Sequence, residues 1–550
     1  MSSSIAHSST IFRLNKRKIP IKINDIPCVA REGMNILEAA AEENIYIPRL
    51  CGNESLPPVS KCGICIVKLG DGTTVRACST QVKEGMEIFT NDLTLFDESK
   101  KIFVDYSPEI LDGKSSTIDV LFTHFRPEHD RGKSVQKTET QSIVFDFSLC
   151  IKCNCCFRAC IDLQGIGALN ENDHTVNVED CISCGACVTF CPTTAMREKR
   201  EIPKLLHAFS VGKIVAIQFA PAVRVSLAEL FGKPVGTICT GKMISAARKM
   251  GFRYVFDTTF GADLTVYEEA NEFLTREKRP MFTSCCPGFV NFIERYHPDL
   301  IPYLTTTKSP MAITGAVIKN HFAMKMCLKN IFVVFVGPCT AKKDEICRHQ
   351  IMNDVDCALT TREFGEMIEN YEIDWDSLND KEEFDTVAGE GWTVEFGASG
   401  GVATGVMKYL CAKYNVPYEV VFENVPLMTG LKETTITIDG KELKFAICSG
   451  ISTAANLIDT ELYLTYDFIE VMSCPLGCVN GGGQPKISKY AQIHNRSKAI
   501  RNIFKNANKT VLDNSAMEYV YTDYLGDPGV GLAHKLLHTS FQERKVENKK

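Results

Sequence analysis

Cysteines in three distant segments of the chain have the neighbours expected around a shared metal cluster. The segments are TSCCPG at 283–288, GPCTAKK at 337–343 and EVMSCPLGCVNGGGQP at 470–485, and four of their cysteines are suited to bind one cluster. Thiolates favour iron-sulfur clusters or zinc, while Pro, Gly and Lys shape the turns around a buried cofactor. On spacing alone, these cysteines could hold any metal that prefers thiolate ligands.

Each segment follows an apolar run rich in β-forming residues: MFT, IFVVFV and FIEV. Because ligands of parallel α/β sheets collect outside the carboxyl ends of the strands, we expect the three segments to converge. From about Lys204, strand-like and helix-like runs alternate, which predicts a large α/β domain over 204–540. Within it, GTICTGKM at 236–243 is not a phosphate loop, because Met243 replaces the Ser or Thr that holds magnesium. This stretch instead predicts the capped start of a helix.

The N-terminal region predicts a small β-rich domain with its own four cysteines. From Ile19 the pattern indicates a strand, a turn at Asn24 and Asp25, a second strand, and a helix capped by Asn35. Cys51, Cys62, Cys65 and Cys78 follow with the spacing C-x10-C-x2-C-x12-C, which leaves both zinc and an iron-sulfur cluster open. The β-grasp pattern and the sequences IPRLCG and RACST resemble plant-type ferredoxin domains. We therefore assign 19–94 to a [2Fe-2S] domain.

An internal repeat of cysteines predicts a second ferredoxin-like domain over 141–203. Its two C-x2-C-x2-C-x3-C runs have the spacing of bacterial two-cluster ferredoxins, in which the fourth cysteine of each run binds the other cluster. Cys155 is out of register and is interpreted as a packing residue. The predicted ligand sets of the two [4Fe-4S] clusters are Cys150, Cys153, Cys156 and Cys191, and Cys181, Cys184, Cys187 and Cys160.

Composition limits the class of protein. With 550 residues and 45% hydrophobic content, the chain predicts a multidomain protein that combines α+β and α/β domains. A net charge of −6 gives no basic surface for nucleic acid, and no apolar stretch approaches the ~20 residues that span a membrane. The 25 cysteines fall mostly into metal-type spacings without an export signal, so we expect a reducing, oxygen-poor compartment.

The ends and the connecting segment carry weaker signals. The leader 1–18 is rich in Ser and Thr, has basic but no acidic residues, and fits either an organelle transit peptide or a frayed terminus. We expect a hydrogenosome or another mitochondrion-derived anaerobic organelle, with the cytoplasm as the alternative and secretion excluded. The cysteine-free stretch 95–140 is interpreted as a connector with two structural histidines, His124 and His129, and 541–550 as a charged tail.

The three cysteine segments, in this order, resemble the signature segments of the [FeFe], or iron-only, hydrogenases, and the similarity extends over almost the whole chain. In that family a [4Fe-4S] cluster is joined through one cysteine to a diiron site with CO, cyanide and a bridging dithiolate; together they form the H-cluster. The resemblance implies that Cys286, Cys339, Cys474 and Cys478 bind the H-cluster. Cys478 would be the bridge to the diiron site.

The resemblance also implies roles for residues that bind no iron. Cys285 would exchange a proton with the bridging dithiolate, and the path would continue through Glu269, Glu272 and Thr305, where relatives usually carry Ser. Without the family, the two glutamates would be interpreted as solvent-facing residues of one helix. Lys342 would hydrogen-bond a cyanide ligand, and Met472 would pack against the diiron carbonyls.

Three further positions in or near these segments need separate interpretation. Lys343 is interpreted as an ordinary surface charge. Two positions depart from the family. Gly337 stands where relatives usually have Met, so we expect one wall of the diiron pocket to be looser or filled from elsewhere. Met311 stands where relatives usually have a polar residue.

The front clusters would form an electron relay to the active site. The resemblance implies a ferredoxin hydrogenase that interconverts H2 with protons and electrons, with ferredoxin or an NADH-oxidising complex as the partner. Its diiron site would require maturation proteins. The absence of cysteine over 95–140 excludes the additional cluster, held by one histidine and three cysteines, of larger relatives. The alternatives are a non-catalytic iron-sulfur assembly protein and an electron-transfer subunit similar to that of respiratory complex I.

Overall fold

The computed structural model describes residues 17–43, 45–51, 60–104, 137–172, 175–385, 392–418, 420–486, 492–505 and 511–544. The chain divides into two compact units, one formed by 1–177 with 186–197 and the other by 178–185 with 198–550. Almost all of the predicted leader, most of the 95–140 connector with His124 and His129, and most of the charged tail lie outside the described residues.

A five-stranded sheet organises the start of the first unit, in the order β2-β1-β5-β3-β4. Its first two strands form a hairpin whose two turn residues, Asn24 and Asp25, have φ angles of 52° and 64°. Positive φ at both central residues suits the twist of paired strands and favours Asn and Asp, which confirms the predicted turn. The strands are β1 (Lys18–Ile23), β2 (Ile26–Arg31), β3 (Ile66–Leu69), β4 (Thr74–Arg76) and β5 (Glu87–Phe89).

Helix α1 (Ile36–Glu42) begins where the sequence predicts it, at a capping box. The Asn35 side chain accepts a hydrogen bond from the Glu38 N–H at 2.9 Å, and the Glu38 carboxylate accepts one from the Asn35 N–H at 2.9 Å. These bonds satisfy N–H groups that the first turn of a helix leaves unpaired. Ile36, Leu37 and Ala40 are buried on the face toward the sheet.

The remainder of the first unit carries the cysteine repeat on short elements. Both cysteine runs continue into one-turn helices, as expected for loops that wrap a cofactor. The elements are α2 (Leu93–Val104), β6 (Lys137–Glu139), β7 (Ile143–Asp146), α3 (Cys155–Arg158), α4 (Ala186–Phe190) and β8 (Met196–Glu198), and the three strands form a sheet in the order β6-β7-β8.

The second unit contains two sheets, as the α/β pattern predicts. The first sheet, β10-β9-β12-β13, is wholly parallel. The second, β11-β17-β16-β15-β14, is parallel at β11, β17 and β16 and ends in antiparallel strands. The strands are β9 (Val215–Phe219), β10 (Tyr254–Asp257), β11 (Met281–Phe282), β12 (Phe332–Gly337), β13 (Cys357–Thr360), β14 (Glu423–Asn424), β15 (Leu431–Ile438), β16 (Lys441–Ser449) and β17 (Phe468–Met472).

Helices pack around both sheets of the second unit. They are α5 (Ile202–Ser210), α6 (Thr240–Lys249), α7 (Thr259–Thr275), α8 (Pro287–Tyr296), α9 (Pro310–Val317), α10 (Ala323–Lys325), α11 (Ala341–Glu345), α12 (Thr361–Asn370), α13 (Gly401–Lys413), α14 (Ile451–Asp459), α15 (Ile493–Lys505), α16 (Ser515–Val520) and α17 (Gly531–Leu537). Helix α6 begins in the rejected phosphate-loop segment, but Cys239 at its N-cap position makes no side-chain cap bond. Among the described residues, no helix combines the length and apolarity needed to cross a bilayer.

Lys343 is buried, so its interpretation as a surface charge is wrong. Its side chain has 0% exposure, and its ammonium lies 2.7 Å from the Glu363 carboxylate and 2.6 Å from the Ala358 carbonyl oxygen. Burial lowers the pKa of Lys343, but the charges of Glu363 and Glu201 and the hydrogen bond to Glu363 together outweigh it, and the pKa lies above its ordinary value. The ion pair joins α11, which follows the Cys339 segment, to the start of α12.

We expect Lys343→Met to destabilise the second unit by roughly 3–5 kcal/mol, because it leaves the Glu363 carboxylate buried without its partner. Chemical denaturation of the full chain, followed by far-ultraviolet circular dichroism, measures the effect. Adding Glu363→Gln should recover part of the loss, since the amide carries no charge. The matched control is Lys249→Met on the exposed face of α6. A change of less than about 0.5 kcal/mol for Lys343→Met, the range typical of surface positions, would contradict the buried pair.

Candidate active site

Each of the three cysteine segments begins at the carboxyl end of a strand, as predicted. Strand β11 leads into the first segment, β12 into the second and β17 into the third. Strands β11 and β17 are neighbours in one sheet, while β12 is central in the other. The site is therefore assembled from the ends of both sheets of the second unit.

The four predicted H-cluster cysteines lie close enough for their charges to interact. Burial, together with the Cys286 charge, raises the pKa of Cys339 to about 12. Burial likewise raises the pKa of Cys474 and of Cys478, and each is raised again by the charges of Cys339 and Cys286. Four mutually repelling buried thiolates need a positive centre, so this donor set fits an iron-sulfur cluster. Within the described residues, no group of three Cys, His, Asp or Glu side chains is arranged to hold a single metal ion.

The loop 477–485, here called the glycine loop, fits against its neighbours only because glycine stands at the points of closest contact. A Cβ on Gly482 would lie 2.8 Å from the Gly185 Cα, and one on Gly481 would overlap the Pro338 carbonyl group. Gly477 has a φ of 86°, a conformation that other residues rarely adopt. The glycines thus let the loop that carries Cys478 lie directly on neighbouring backbone.

Two arginines donate hydrogen bonds to carbonyl groups of the glycine loop. Neither is predicted from the sequence. Arg362 donates to the Gly482 oxygen at 2.7 Å and to the Gln484 oxygen at 2.5 Å, and it pairs with Glu198 at 2.8 Å. No local pattern marks Arg362, because its partners are more than one hundred residues away in the sequence.

Arg496, at the start of α15, holds the same loop from another side. It donates to the Val479 oxygen at 2.9 Å and to the Pro485 oxygen at 2.8 Å. Its guanidinium also pairs with Glu229 at 2.5 Å, and its side chain is only 1% exposed. A planar guanidinium with five donors can satisfy two carbonyls and a carboxylate together, which a lysine cannot.

The predicted proton path lies on α7 and the segment beside β11. Burial raises the pKa of the Cys285 thiol well above its ordinary value, and the nearby Glu269 carboxylate raises it further. Glu269 is fully buried, and neither of its carboxylate oxygens has a hydrogen-bond partner among the described residues. Glu272 accepts a hydrogen bond from the Thr305 hydroxyl at 2.7 Å and pairs with Arg276 at 2.8 Å. The solvent-facing interpretation from helical pattern is therefore wrong for Glu269.

Lys342 and Met472 lie beside the cysteines. The Lys342 ammonium is 2.6 Å from the Glu345 carboxylate and 3.4 Å from the Cys285 carbonyl oxygen. Burial lowers the pKa of Lys342, but the charge and hydrogen bond of Glu345 together with the nearby cysteine charges outweigh it, so the ammonium form is favoured. Met472 is 3% exposed and belongs to the same apolar cluster as Cys285. Both side chains thus lie near Cys285, and their roles toward the diiron site stay predictions.

The two departures from the family have different surroundings. A Cβ on Gly337 would overlap the Phe335 ring, so this aromatic side chain fills the space that a side chain at 337 would occupy. Met311 is buried in the core of the first sheet, where its carbonyl oxygen accepts a hydrogen bond from Gln218 at 3.0 Å. Of the two outcomes expected at Gly337, the structure favours a filled wall.

The segment 178–185, which carries Cys181 and Cys184, belongs to the same unit as the active-site cysteines. The Thr340 hydroxyl donates to the Ser183 carbonyl oxygen at 2.7 Å, and the charge of Cys184 contributes to the raised pKa of Cys474. These contacts hold two predicted [4Fe-4S] ligands beside the H-cluster cysteines. The other two members of that set, Cys160 and Cys187, lie in the first unit.

The first unit groups the remaining predicted ligands. Two hydrogen-bonded thiol pairs are formed, by Cys51 with Cys62 and by Cys65 with Cys78. The hydrogen bond lowers the pKa of Cys62 in the first pair and of Cys78 in the second. Cys150, Cys153, Cys156 and Cys191 interact electrostatically as one group, as the crossed ferredoxin pattern predicts.

Cys155 links these two groups of cysteines. Its thiol lies 3.6 Å from the Cys51 carbonyl oxygen, which fits its interpretation as a packing residue. Eight cysteines have no predicted metal role, and all are buried except Cys327 and Cys347; the buried ones are Cys28, Cys155, Cys239, Cys357, Cys411 and Cys448.

Family profiles match four consecutive parts of the chain. The "Iron only hydrogenase large subunit, C-terminal domain" matches 213–482 and the "Iron hydrogenase small subunit" matches 490–544. A "2Fe-2S iron-sulfur cluster binding domain" matches 16–92 and a "4Fe-4S dicluster domain" matches 142–192. The NADP-reducing hydrogenase subunit HndD of Solidesulfovibrio fructosivorans is 33% identical over 93% of this chain and 97% of its own length. The chain belongs to the iron-only hydrogenase family.

Other members of the family differ in what their names describe. An [FeFe]-hydrogenase HydA1 variant from Chlamydomonas reinhardtii has a TM-score of 0.57 and 32% identity, covering 63% of this chain and 99% of that one. The cytosolic Fe-S cluster assembly factor narfl of Xenopus tropicalis is 29% identical over 66% of this chain and 83% of its own length. Family membership therefore establishes the fold and iron-sulfur domains, and leaves two functional classes to compare.

We expect Arg496→Met to lower the iron bound by the active-site cysteines, because the Val479 and Pro485 carbonyls lose their donors and the glycine loop loosens. Iron analysis and visible absorption of the purified chain should show a loss of about one [4Fe-4S] cluster, with the [2Fe-2S] signal retained. In Arg496→Met/Glu229→Leu the unpaired carboxylate is also removed. Full iron content in this double variant would show that the unpaired Glu229 carboxylate, and not the lost hold on the loop, lowers the iron content of Arg496→Met.

Proposed function

We propose that this chain is an [FeFe]-hydrogenase that catalyses the reversible conversion of two protons and two electrons into H2. Its cofactors would be one [2Fe-2S] cluster, two [4Fe-4S] clusters and the H-cluster. When bound, the diiron site supplies the metal centre at which protons and electrons combine. Cys286, Cys339 and Cys474 would hold the cubane part, and Cys478 would hold the cubane and bridge to the diiron part.

The observation that carries this proposal is the unpaired Glu269 carboxylate next to Cys285. Burying a carboxylate without hydrogen bonds costs several kcal/mol unless the group stays protonated or performs a function. Burial raises the pKa of Glu269 well above its ordinary value, and the Glu272 charge adds to the shift, so the protonated form is favoured. An acid that holds a proton and makes no structural bond is suited to proton transfer.

The remaining residues of the path perform complementary tasks. The Cys285 thiol stays protonated because of its burial, so it can present a proton at the inner end. The Thr305 hydroxyl can accept and donate a hydrogen bond at once, and it is bonded to Glu272 at 2.7 Å. Arg276 orients Glu272 through its ion pair at the outer end. Lys342 would donate a charge-assisted hydrogen bond to an anionic ligand in the pocket.

The main alternative is a non-catalytic iron-sulfur assembly protein, which the similarity to narfl favours. Such a protein needs the cluster cysteines, but it has no use for a buried unpaired acid between Cys285 and Glu272. The match over 490–544 to the hydrogenase small subunit also supports an enzyme. An electron-transfer subunit similar to that of complex I would explain the front domains only.

Electron supply follows from the front domains. We infer a relay from the [2Fe-2S] cluster through the [4Fe-4S] clusters to the H-cluster, with a low-potential ferredoxin as the external partner. Cys155 packs against the Cys51 backbone, which supports a short step between the first two centres. Maturation proteins would insert the diiron site. For the compartment we propose an oxygen-poor organelle.

The function is tested on anaerobically purified chain produced together with hydrogenase maturation proteins. Infrared spectroscopy should show bands of CO and cyanide bound to iron, and the protein should evolve H2 from reduced viologen. The control is the chain produced without maturation proteins, which should show neither. Absence of both signals from the matured protein, with its iron-sulfur clusters intact, would favour the assembly role.

We expect Cys285→Ser to lower H2 turnover by at least ~100-fold while the infrared bands remain, because a hydroxyl is a much weaker acid than a thiol. The matched control is Cys448→Ser, at a buried cysteine of β16 to which no role is assigned. Turnover of Cys285→Ser close to that of the wild-type chain would refute its place in the path.

A further inference from the structure

A second series of hydrogen bonds connects Glu272 with His538 and Glu268. The Thr306 hydroxyl oxygen lies 3.1 Å from Glu272 Oε2 and 2.8 Å from His538 Nδ1. The other ring nitrogen of His538 lies 3.1 Å from Glu268 Oε2. Glu268 in turn accepts hydrogen bonds from the Tyr521 hydroxyl at 2.5 Å and, through Oε2, from the Gly529 N–H at 2.7 Å. Both series share Glu272. The proposed path through Thr305 uses none of the other side chains named here.

The backbone fixes His538 in this place. His538 forms an antiparallel bridge with Thr307, the Lys308 N–H donates to the Leu537 oxygen at 2.8 Å, and the Thr539 N–H donates to the Thr306 oxygen at 2.7 Å. The position of the ring relative to Thr306 therefore does not depend on its side-chain contacts alone.

A second imidazole lies against the face of the His538 ring. The His538 side chain is 4% exposed, but the exposed His534, one turn earlier on α17, stacks on it with ring centres 4.9 Å apart and planes inclined by 13°. A buried imidazole thus has a second, accessible imidazole against its face.

Counting hydrogens shows that this network has two arrangements. Thr306 has one hydroxyl hydrogen and two acceptors within reach. If the hydrogen points to His538 Nδ1, the ring is neutral and its Nε2–H donates to Glu268. If it points to Glu272, Nδ1 must itself carry a hydrogen and donate to Thr306, so that the ring holds one proton more. The two arrangements differ by a single proton.

We propose that His538 is a relay residue that exchanges protons with Glu272 through the Thr306 hydroxyl, giving the proton path a second branch. In one step, Nδ1–H passes to Thr306 Oγ1 while the Thr306 O–H passes to Glu272 Oε2. The net result is the transfer of one proton from the ring to Glu272, and no electron is transferred. The ring becomes neutral and keeps its Nε2–H on Glu268. The branch rests on the proposed function, since it serves the path to Cys285.

The charged and titratable groups that face His538 are few. Glu268 from α7 contacts Nε2, with Tyr521 bonded behind it, and His534 lies on the histidine's own helix. Beyond Thr306 lies the Glu272–Arg276 ion pair.

Kinetics of the matured enzyme test the order of the relay. We expect His538→Gln and Thr306→Val each to lower the rate of H2 evolution at least ~tenfold. The loss is smaller than for a sole acid-base group, because protons can also reach the partly exposed Glu272 directly. The double variant should lose no more than either single variant, since both changes interrupt one branch. Thr306→Ser should retain the rate, and the pH–rate profile should change shape in both disabled variants.

The matched control is His321→Gln. His321 is also a buried histidine paired with a carboxylate, at 3.0 Å from Asp523, but it has no contact with the path. Its replacement should leave both the rate and the pH–rate profile unchanged. Additive losses in the double variant, or a Thr306→Val enzyme with the wild-type rate, would overturn the relay.

A measurement that needs no activity separates this inference from the proposed function. In the full chain labelled with 15N-histidine and carrying its iron-sulfur clusters, the His538 Nδ1 resonance is identified by its loss in His538→Gln. We expect Glu272→Gln to shift this resonance and leave the His321 resonance in place, while Asp523→Asn should do the reverse. A His538 resonance that does not respond to Glu272→Gln would overturn the branch whether or not the protein evolves H2.

Discussion

Close packing of backbone against backbone around the glycine loop is the constraint on which the active site depends. The cysteines come from strands of two different sheets, and they can meet only if the loop with Cys478 lies directly on Pro338 and Gly185. Any side chain at Gly481 or Gly482 would separate these segments. Such an approach leaves carbonyl groups without partners, and buried carbonyls without donors are costly. Arg362 and Arg496 provide the missing donors from outside the loop.

The distribution of buried charge follows from the same assembly. Thiolates repel one another in a site of low polarity, and the cations nearby are held in fixed pairs, such as Lys342 with Glu345. Glu470 on β17 accepts hydrogen bonds from the Gly400, Val402 and Ala403 N–H groups at 2.6–2.9 Å and so caps α13. Even so, burial raises its pKa to about 7. The helix end and the third cysteine segment are thereby held together without a full negative charge next to the cluster.

The sequence predicted those parts of the structure that local patterns encode. The turn at Asn24 and Asp25, the cap at Asn35 and the strands before each cysteine segment follow from periodicity and turn chemistry. Burial of charged side chains was not predictable in this way. Lys343 is adjacent to Lys342 in the sequence, but its partner Glu363 comes from another element, and no pattern distinguishes the two lysines. Arg496 was missed for the same reason, because its contacts are set by tertiary packing.

Two adjacent glutamates on α7 show how much of a site is decided by packing. Glu268 and Glu269 are both fully buried, and from the sequence alone they are equivalent. Glu268 is satisfied on both oxygens by Tyr521, His538 and the Gly529 N–H, whereas neither oxygen of Glu269 has a partner among the described residues. If burial alone explained such acids, the chain would pair both or replace the unpaired one by an apolar residue, since an unsatisfied buried carboxyl lowers stability. An unpaired acid between a thiol and a paired acid is what the proposed proton path requires, because no hydrogen bond to a described residue holds its proton in place.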